Sequence, residues 1–158
     1  MTASAPTPVL LNPQIVGQAE NAHRPALERI LGRSGTTFPQ WVALRLAATD
    51  GGSTDGARLA ARIVDALKIA PESARAAIDQ LVGAHLFEPE SRLGPGTDDQ
   101  TQVHLVHLTD SGRARFAEIK SAIDEVISQV YSSIPQQDLE TAARVLSTLT
   151  QRLNSLAA

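Results

Sequence analysis

Arginine dominates the residues of this chain that could do chemistry. Twelve of the fourteen basic side chains are arginine, which binds phosphate and guanine through paired N–H donors. Six of them could line one face of a folded lobe, namely Arg58, Arg62, Arg75, Arg92, Arg113 and Arg115. The alternative is a set of solvated arginines paired with the nearby acids Asp65, Glu72, Glu88 and Glu118.

The four histidines lack the spacing of a metal site. His104 and His107 are three residues apart on a predicted strand, so their side chains should point to opposite faces. His23 lies on a predicted helix and His85 lies just after another. The chain contains no cysteine, which excludes disulfides and thiolate ligands. We therefore predict no metal site and no cofactor.

The usual motifs of enzymatic chemistry are also missing. The sequence has no Gly-x-Ser-x-Gly elbow, no glycine-rich phosphate loop and no paired-carboxylate motif, so we predict that the protein is not an enzyme. Its formal net charge of −3 provides no general attraction for nucleic acid. Any such binding must come from a local basic patch.

No targeting or membrane segment is recognisable. Residues 1–13 lack the basic leader and long apolar core of a signal peptide, and no run of 18 apolar residues occurs. We expect a cytoplasmic protein with no membrane partner. Residues 1–11 are rich in Pro, Ala and Thr and are predicted to be a flexible tail.

Helical periodicity begins directly after this tail. Asn12 and Pro13 have the residue types of an N-cap and a first helical position. Pro25 falls inside the first helix and should kink it or break it in two. Thr37 and Gln40 form a capping-box sequence that opens a second helix, which ends before a Gly- and Ser-rich loop.

Two more helices and two strands follow. A third helix is predicted over about residues 55–68, and a fourth begins at Pro71. The buried face of the fourth helix should carry Ala74, Ala77, Ile78, Leu81 and Val82. Residues 86–91 and 102–108 alternate as strands do, and a flexible tip over residues 94–99 joins them.

A fifth and a last helix complete the chain. Thr109 should cap the fifth helix, and the last helix follows Pro135. In the last helix Leu139, Leu146 and Leu153 are seven residues apart, which predicts one apolar stripe. The predicted fold is mostly α, with one small antiparallel β-hairpin.

This order of elements, together with three short motifs, resembles the MarR family of multiple-antibiotic-resistance regulators. The motifs are Pro39-Gln40-Trp41, Leu81-x-x-x-x-Leu86 and Leu108-Thr109-x-x-Gly112-Arg113. The resemblance implies a winged helix-turn-helix lobe over residues 36–109 and N- and C-terminal dimerisation helices over residues 12–35 and 110–158. It also implies a homodimer that binds a pseudo-palindromic site on double-stranded DNA.

The chain departs from the family pattern in three places. His85 stands where the family usually has glycine, at a helix C-cap that favours positive φ, so we predict a left-handed His85. The segment before the fourth helix is longer by about one turn. The wing tip carries Asp98 and Asp99 where the family has an arginine that enters the minor groove, and Arg92 is the nearest substitute.

In the family arrangement the fourth helix enters the major groove. Its outward face should be Glu72, Arg75, Ala76, Asp79 and Gln80, which carries one positive and two negative charges. The residues that we expect to contact DNA are Ser73, Arg75, Ala76 and Gln80 on this helix and Arg58, Arg62, Arg92 and Arg113 around it.

The family also implies a pocket for small aromatic or phenolic effectors between the dimer helices and the DNA-binding lobe. The residues expected to line it are His23, Phe38, Trp41, Arg45 and Phe116. Trp41 would supply a flat apolar wall, and Arg45 or His23 would bind an anion. Trp41 and Phe38 could instead be ordinary core residues. Arg45 is the best single candidate because it lies near the apolar face and could be partly desolvated.

Two functional hypotheses follow. The first is a homodimeric MarR-like transcriptional regulator that an effector releases from its DNA site. The second is a winged-helix dimer with weak or lost DNA binding that acts as a ligand-binding or protein-interaction module. The acidic fourth helix and the arginine-free wing tip motivate this second hypothesis. Both require a dimer, because the terminal helices carry more apolar surface than one lobe can cover.

Overall fold

The computed structural model describes residues 10–93 and 102–156. Their elements are α1 (Pro13–Arg33), α2 (Phe38–Thr49), β1 (Ser53–Asp55), α3 (Gly56–Leu67), α4 (Pro71–Gly83), β2 (Phe87–Leu93), β3 (Gln102–Leu108), α5 (Asp110–Tyr131) and α6 (Gln136–Leu156). The mostly helical fold predicted from the sequence is confirmed. The predicted wing tip over residues 94–99, with Asp98 and Asp99, and residues 1–9 of the predicted tail lie outside the described residues.

Helix α1 begins at the predicted cap and runs uninterrupted through its internal proline. The Asn12 side-chain oxygen accepts a hydrogen bond from the Ile15 N–H at 3.0 Å, and Pro13 occupies the first turn, where no partner is lost. Pro25 lies inside the helix, which nevertheless continues to Arg33, so the predicted break in two does not occur. Only one backbone donor is lost there, and the exposed proline ring leaves the turns on both sides in place.

Helix α2 forms the centre of the core and has the predicted capping box. The Gln40 Oε1 accepts from the Thr37 N–H at 2.8 Å, and the Thr37 hydroxyl oxygen accepts from the Gln40 N–H at 3.4 Å. Five of its residues are buried, namely Trp41, Val42, Ala43, Leu44 and Ala47. The helix therefore packs against several neighbours at once, with α3 and α4 among them.

The sheet contains a third strand that the sequence does not predict. Ser53–Asp55, which the sequence pattern assigns to the end of a loop and the start of the third helix, forms β1 and pairs antiparallel with β3, so that the strand order is β1-β3-β2. A strand of three residues is too short to show alternation. Gly51 and Gly52, both at positive φ, precede it and give the segment the composition of a loop. The single predicted hairpin is thus part of a three-stranded sheet.

The apolar core lies between α2, α3, α4 and one face of the sheet. The predicted inner face of α4 is confirmed: Ala74, Ala77, Ile78 and Leu81 are buried, and Val82 is half-buried. The largest fully buried side chains are Phe87, Leu44, Leu59, Ile63, Leu81 and Ile119. Aliphatic residues supply nearly all of this core, as the low aromatic content of 3% requires.

His85 adopts the left-handed conformation predicted for it, with φ of 56°. The N–H groups of His85 and Leu86 donate back to the carbonyls of Val82 at 3.0 Å and Leu81 at 2.9 Å, which closes the end of α4. Lys68 ends α3 with a similar φ of 53°, which the sequence does not indicate. The side chains of His85 and Lys68 are both exposed and meet no steric obstacle in solvent, although a positive φ favours glycine.

Thr109 connects the end of α4 to the beginning of α5. Its hydroxyl donates to the His85 carbonyl at 2.8 Å and accepts from the Gly112 N–H at 2.9 Å, so the predicted cap is confirmed. A Cβ atom on Gly112 would lie 2.1 Å from the Leu86 carbonyl oxygen. The Leu-Thr-x-x-Gly spacing is therefore a packing requirement, because only glycine lets α5 begin this close to the strand.

The chain divides into two compact units, residues 1–122 and 123–158. The second unit contains the last turns of α5 and all of α6. Within residues 136–156 no side chain of α6 is buried. Its exposed large apolar residues are Val145, Leu146, Leu149, Leu153 and Leu156.

Replacing His85 with glycine should stabilise the fold. Glycine adopts positive φ without the steric cost of a Cβ atom, so we expect the free energy of unfolding to rise by up to about 1 kcal/mol. Urea unfolding measures the change. The matched control is Ala84→Gly, one residue earlier at φ of −84°, which should lower stability. Equal effects of the two substitutions would contradict a strained His85.

Candidate functional site

The exposed face of α4 carries the residues predicted to meet nucleic acid. Glu72, Ser73, Arg75, Ala76, Asp79 and Gln80 are all exposed on this helix. The face therefore presents one guanidinium, two carboxylates, a hydroxyl and an amide. Pro71 begins the helix and has no N–H, and the N–H groups of Ser73 and Ala74 donate to the Ala70 carbonyl oxygen at 3.0 and 3.3 Å, so among the described residues the Glu72 N–H is the one left without a bond in this first turn. Such a donor binds phosphate oxygens.

Gln80 is joined to helix α2 by its side chain. The Gln40 Nε2 donates to the Gln80 Oε1 at 2.8 Å, and the same Gln40 closes the capping box of α2. The sequence pattern does not place Gln40 in the site, because a capping-box spacing carries no information about contacts forty residues away. This hydrogen bond fixes the orientation of the side-chain amide of Gln80, which is one of the residues predicted to contact DNA.

The predicted phosphate-binding arginines differ in their partners. Within the described residues Arg58 and Arg75 form no ion pair. Arg62 Nη1 lies 2.5 Å from Asp50 Oδ2, and Arg113 Nη2 lies 3.2 Å from Asp110 Oδ1. Such solvent-accessible pairs contribute little free energy, so they can be exchanged for a phosphate contact. Arg92 lies on β2, and its side chain is outside the described residues.

Of the four acids expected to neutralise the arginines, one pairs with an arginine among the described residues. Arg115 pairs with Glu118 at 3.6 Å, as the sequence suggested. Asp65 instead pairs with Lys68 at 2.8 Å. Among the described residues the alternative of arginines neutralised by Asp65, Glu72, Glu88 and Glu118 therefore applies to a single pair, the one between Arg115 and Glu118, while Arg62 and Arg113 pair with other acids.

A groove of about 890 Å³ lies between α3, α4 and the strands β2 and β3. Its floor is apolar, with Ala60, Val64, Ile78 and Val106. Its rim is polar and includes Arg75, Asp79, Glu90, Ser91 and His104. The groove separates the exposed face of α4 from the wing strands, which are the two elements expected to contact a duplex.

Trp41 and Phe116, from α2 and α5, are brought together as a stacked pair. Their ring centroids are 5.5 Å apart and their planes differ by 16°. Trp41 is buried and Phe116 is half-buried, so the pair lies at the edge of the core. Two of the five residues predicted to line an effector pocket are thus neighbours.

The other three pocket candidates are exposed. Phe38 is 45% exposed, so in the single chain it does not belong to the core, as its alternative interpretation had it. Arg45 is exposed rather than partly desolvated, because it points away from the buried face of α2. His23 is exposed on α1, with its Nδ1 2.7 Å from the Ala19 carbonyl oxygen.

Arg115 holds the end of α1 against α5 and was not predicted as a pocket residue. Its Nη1 donates to the Ser34 carbonyl oxygen and lies 3.4 Å from the hydroxyl of Thr36, which is buried. The Arg115 side chain is only 31% exposed. The tertiary structure thus places a partly buried cation at the end of α1.

The histidines point to different faces of the wing, as the strand periodicity predicts. His104 Nδ1 is 3.2 Å from the Ser91 hydroxyl, and His107 Nε2 is 2.7 Å from Glu90 Oε2. In the described part of the chain no group of three or more His, Asp or Glu side chains is placed to hold a metal ion. No helix among residues 10–93 and 102–156 is long and apolar enough to cross a membrane.

Solved structures with a similar fold are transcriptional regulators. NadR, solved in complex with 4-hydroxyphenylacetate, is 25% identical over 92% of this chain and 97% of its own, with a TM-score of 0.66. Staphylococcus aureus MarR, solved with salicylate and kanamycin, is 19% identical over 90% of this chain and 91% of its own, with a TM-score of 0.69. A MarR-family regulator from Silicibacter pomeroyi is 17% identical over 90% and 88% of the two chains, with a TM-score of 0.66.

These similarities define the class of the fold. The chain has a winged helix-turn-helix with additional helices before and after it, and this arrangement is the MarR-type fold. The resemblance to the MarR family predicted from the sequence is confirmed. No family model matches the sequence, and no curated protein is similar to it by sequence.

Proposed function

We propose that this protein is a cytoplasmic, homodimeric MarR-like transcriptional regulator, not an enzyme, that binds a pseudo-palindromic DNA site. The observation that carries the proposal is the exposed face of α4 within a MarR-type fold, where Arg75 has no ion-pair partner among the described residues. A helix of this kind fits the major groove, where arginine can donate two hydrogen bonds to guanine. Arg58, Arg62 and Arg113 would contact the flanking phosphates.

The charge of this face sets the expected strength of binding. Glu72 and Asp79 oppose phosphate, so α4 alone gives no net attraction. Affinity must come from a few arginine contacts and from the Glu72 N–H at the first turn of α4. We therefore expect a modest, strongly salt-dependent affinity for each half-site, which dimerisation would multiply.

Arg75→Ala should weaken specific DNA binding by about 1–3 kcal/mol if this side chain contacts a base. Fluorescence anisotropy with labelled duplex from the protein's own upstream region measures the affinity. The slope of log K against log salt should be about −0.9 per neutralised phosphate. Arg24→Ala, on α1, is the matched control and should bind like wild type. Absence of binding by wild type at low salt would contradict the proposed function.

The apolar face of α6 supports the homodimer. Leu146, Leu149 and Leu153 lie on one stripe and are 40%, 39% and 64% exposed in the single chain. Contiguous exposed apolar surface of this kind marks an interface in a protein that stays in solution. A second copy of the same stripe would cover it with twofold symmetry.

Leu146→Glu should shift the protein from dimer to monomer. A carboxylate placed in an apolar interface loses hydration without gaining a partner, which costs several kcal/mol across two copies. Sedimentation velocity at micromolar concentration measures the mass. Thr148→Glu, two positions away on the opposite side of α6, is the control and should leave the mass unchanged. A monomeric wild type would contradict the dimer.

The aromatic pair supports a small-molecule effector. NadR and Staphylococcus aureus MarR have been solved with 4-hydroxyphenylacetate and salicylate, and an organohalide-sensing regulator, 18% identical with a TM-score of 0.67, with 2,4-dichlorophenol. A phenolic ring would pack against Trp41 or Phe116, and Arg45 or His23 would bind its anionic group. An effector that favours one spacing of the two DNA-binding lobes would change DNA affinity.

Salicylate and 4-hydroxyphenylacetate should quench the fluorescence of Trp41, which is the single tryptophan of the chain. Phe116→Leu should raise the dissociation constant about fivefold, because an aromatic contact contributes roughly 1 kcal/mol beyond its buried area. Arg45→Gln should weaken binding of both carboxylates but leave that of 2,4-dichlorophenol unchanged, and Arg144→Gln on α6 is the control. Titrations in which neither carboxylate alters the spectrum would contradict this pocket.

The second candidate function is a winged-helix dimer that binds ligands or proteins and has lost DNA recognition. The net negative charge of the α4 face favours it. The two candidates differ in the salt-dependent anisotropy, which only the regulator should give. A dimer that binds phenolic ligands but no duplex at low salt would support the second candidate.

A further inference from the structure

Three groups form a hydrogen-bond chain that leads from the backbone of α2 to the exposed face of α4. The Thr37 N–H donates to the Gln40 Oε1 at 2.8 Å. The Gln40 Nε2 then donates to the Gln80 Oε1, also at 2.8 Å. Gln40 is half-buried and Gln80 is exposed, so the chain begins at a fixed backbone group and ends at the surface.

The Thr37 N–H, the first group of this hydrogen-bond chain, sets the direction in which each of its hydrogen bonds is donated. A backbone N–H can only donate, so it holds the acceptor end of the Gln40 amide at Thr37. The donor end of Gln40 therefore faces Gln80, which must present its own oxygen in return. An amide has one acceptor end and one donor end, so the Gln80 Nε2 is the end left toward the solvent side of α4.

This orientation restricts what Gln80 can recognise on DNA. The bidentate contact of glutamine to adenine requires its oxygen and its nitrogen at the same base edge. The Gln80 oxygen faces Gln40, so the end of the amide that Gln80 turns toward DNA carries its N–H donors. Its partner must be a hydrogen-bond acceptor, either on a base edge or on a phosphate.

We propose that Gln40 is a positioning residue that makes Gln80 a donor-only contact to DNA. The proposal rests on the proposed function, since it assumes that α4 meets a duplex. In the major groove guanine, thymine and adenine carry acceptors, whereas cytosine presents only its N4 donor. Gln80 therefore discriminates against cytosine at its position in each half-site.

Gln40→Glu separates this role from folding. One carboxylate oxygen still accepts from the Thr37 N–H, so the capping box is retained in its preferred Thr-x-x-Glu form. The other oxygen now faces Gln80 and can only accept, which turns the Gln80 amide around. Gln80 then presents its oxygen to DNA. Thermal unfolding and dimer mass should match wild type.

The experiment selects bound sequences from a random duplex library with wild type, Gln40→Glu, Gln80→Ala and the double variant. Wild type should disfavour cytosine against guanine about five- to tenfold at one position, the equivalent of one hydrogen bond. Gln40→Glu should invert this preference, and Gln80→Ala should remove it at that position alone. The double variant should show the same base preference as Gln80→Ala. Comparing these two proteins isolates the effect of the negative charge that Gln40→Glu adds.

The same four proteins show whether the acceptor that Gln80 contacts is a base edge or a phosphate. If Gln80 contacts a phosphate, none of the substitutions changes the base preference. The loss of affinity caused by Gln40→Glu is then about fivefold larger when Gln80 is present than when it is replaced by alanine. Side-chain amide NMR signals of Gln80 give a readout without DNA. Gln40→Glu should slow the exchange of one Gln80 amide proton with water.

Two results overturn the proposal and are distinguishable from each other. If wild type selects a sequence but Gln40→Glu changes neither the base preference nor the coupling, the positioning role is wrong and the regulator stands. If wild type selects no sequence and binds no duplex, the proposed function fails and this proposal fails with it.

Discussion

The structure depends on one compact junction, where the hydroxyl of Thr109 joins two backbones. It accepts from the Gly112 N–H to begin α5 and donates to the carbonyl of His85, the residue that ends α4. Gly112 lies against the Leu86 carbonyl, and His85 takes a positive φ so that β2 can start immediately. The end of the exposed helix, the wing and α5 are therefore held by the same few atoms.

Helix α4 is well packed on its buried side, while its exposed face attracts a polyanion only weakly. Four buried side chains, Ala74, Ala77, Ile78 and Leu81, fix the helix on the core. The outer side carries Arg75 between two acids, so its long-range attraction for a polyanion is small. Recognition on such a surface relies on short-range geometry, namely donors held in place. Orientation of side chains by neighbours therefore matters more here than total charge.

The second unit, residues 123–158, provides a contrast with this packed lobe. Its helix α6 is amphipathic, yet none of its described residues is buried in the single chain. Burying an apolar stripe contributes roughly 25 cal/mol per Å², a gain that this helix does not obtain within one molecule. A second copy covering the stripe would supply this gain, which is the physical reason for proposing a homodimer.

The sequence by itself determined the elements with strong local signals. Capping at Asn12, Thr37 and Thr109, the inner face of α4 and the left-handed His85 depend on neighbours in sequence, so residue types suffice to predict them. Only the tertiary structure revealed β1, the bond between Gln40 and Gln80, the Trp41–Phe116 stack and the exposure of Phe38 and Arg45. Each of these depends on partners distant in the chain or on which side of a helix becomes covered. Periodicity carries no information about such partners, because it describes one element at a time.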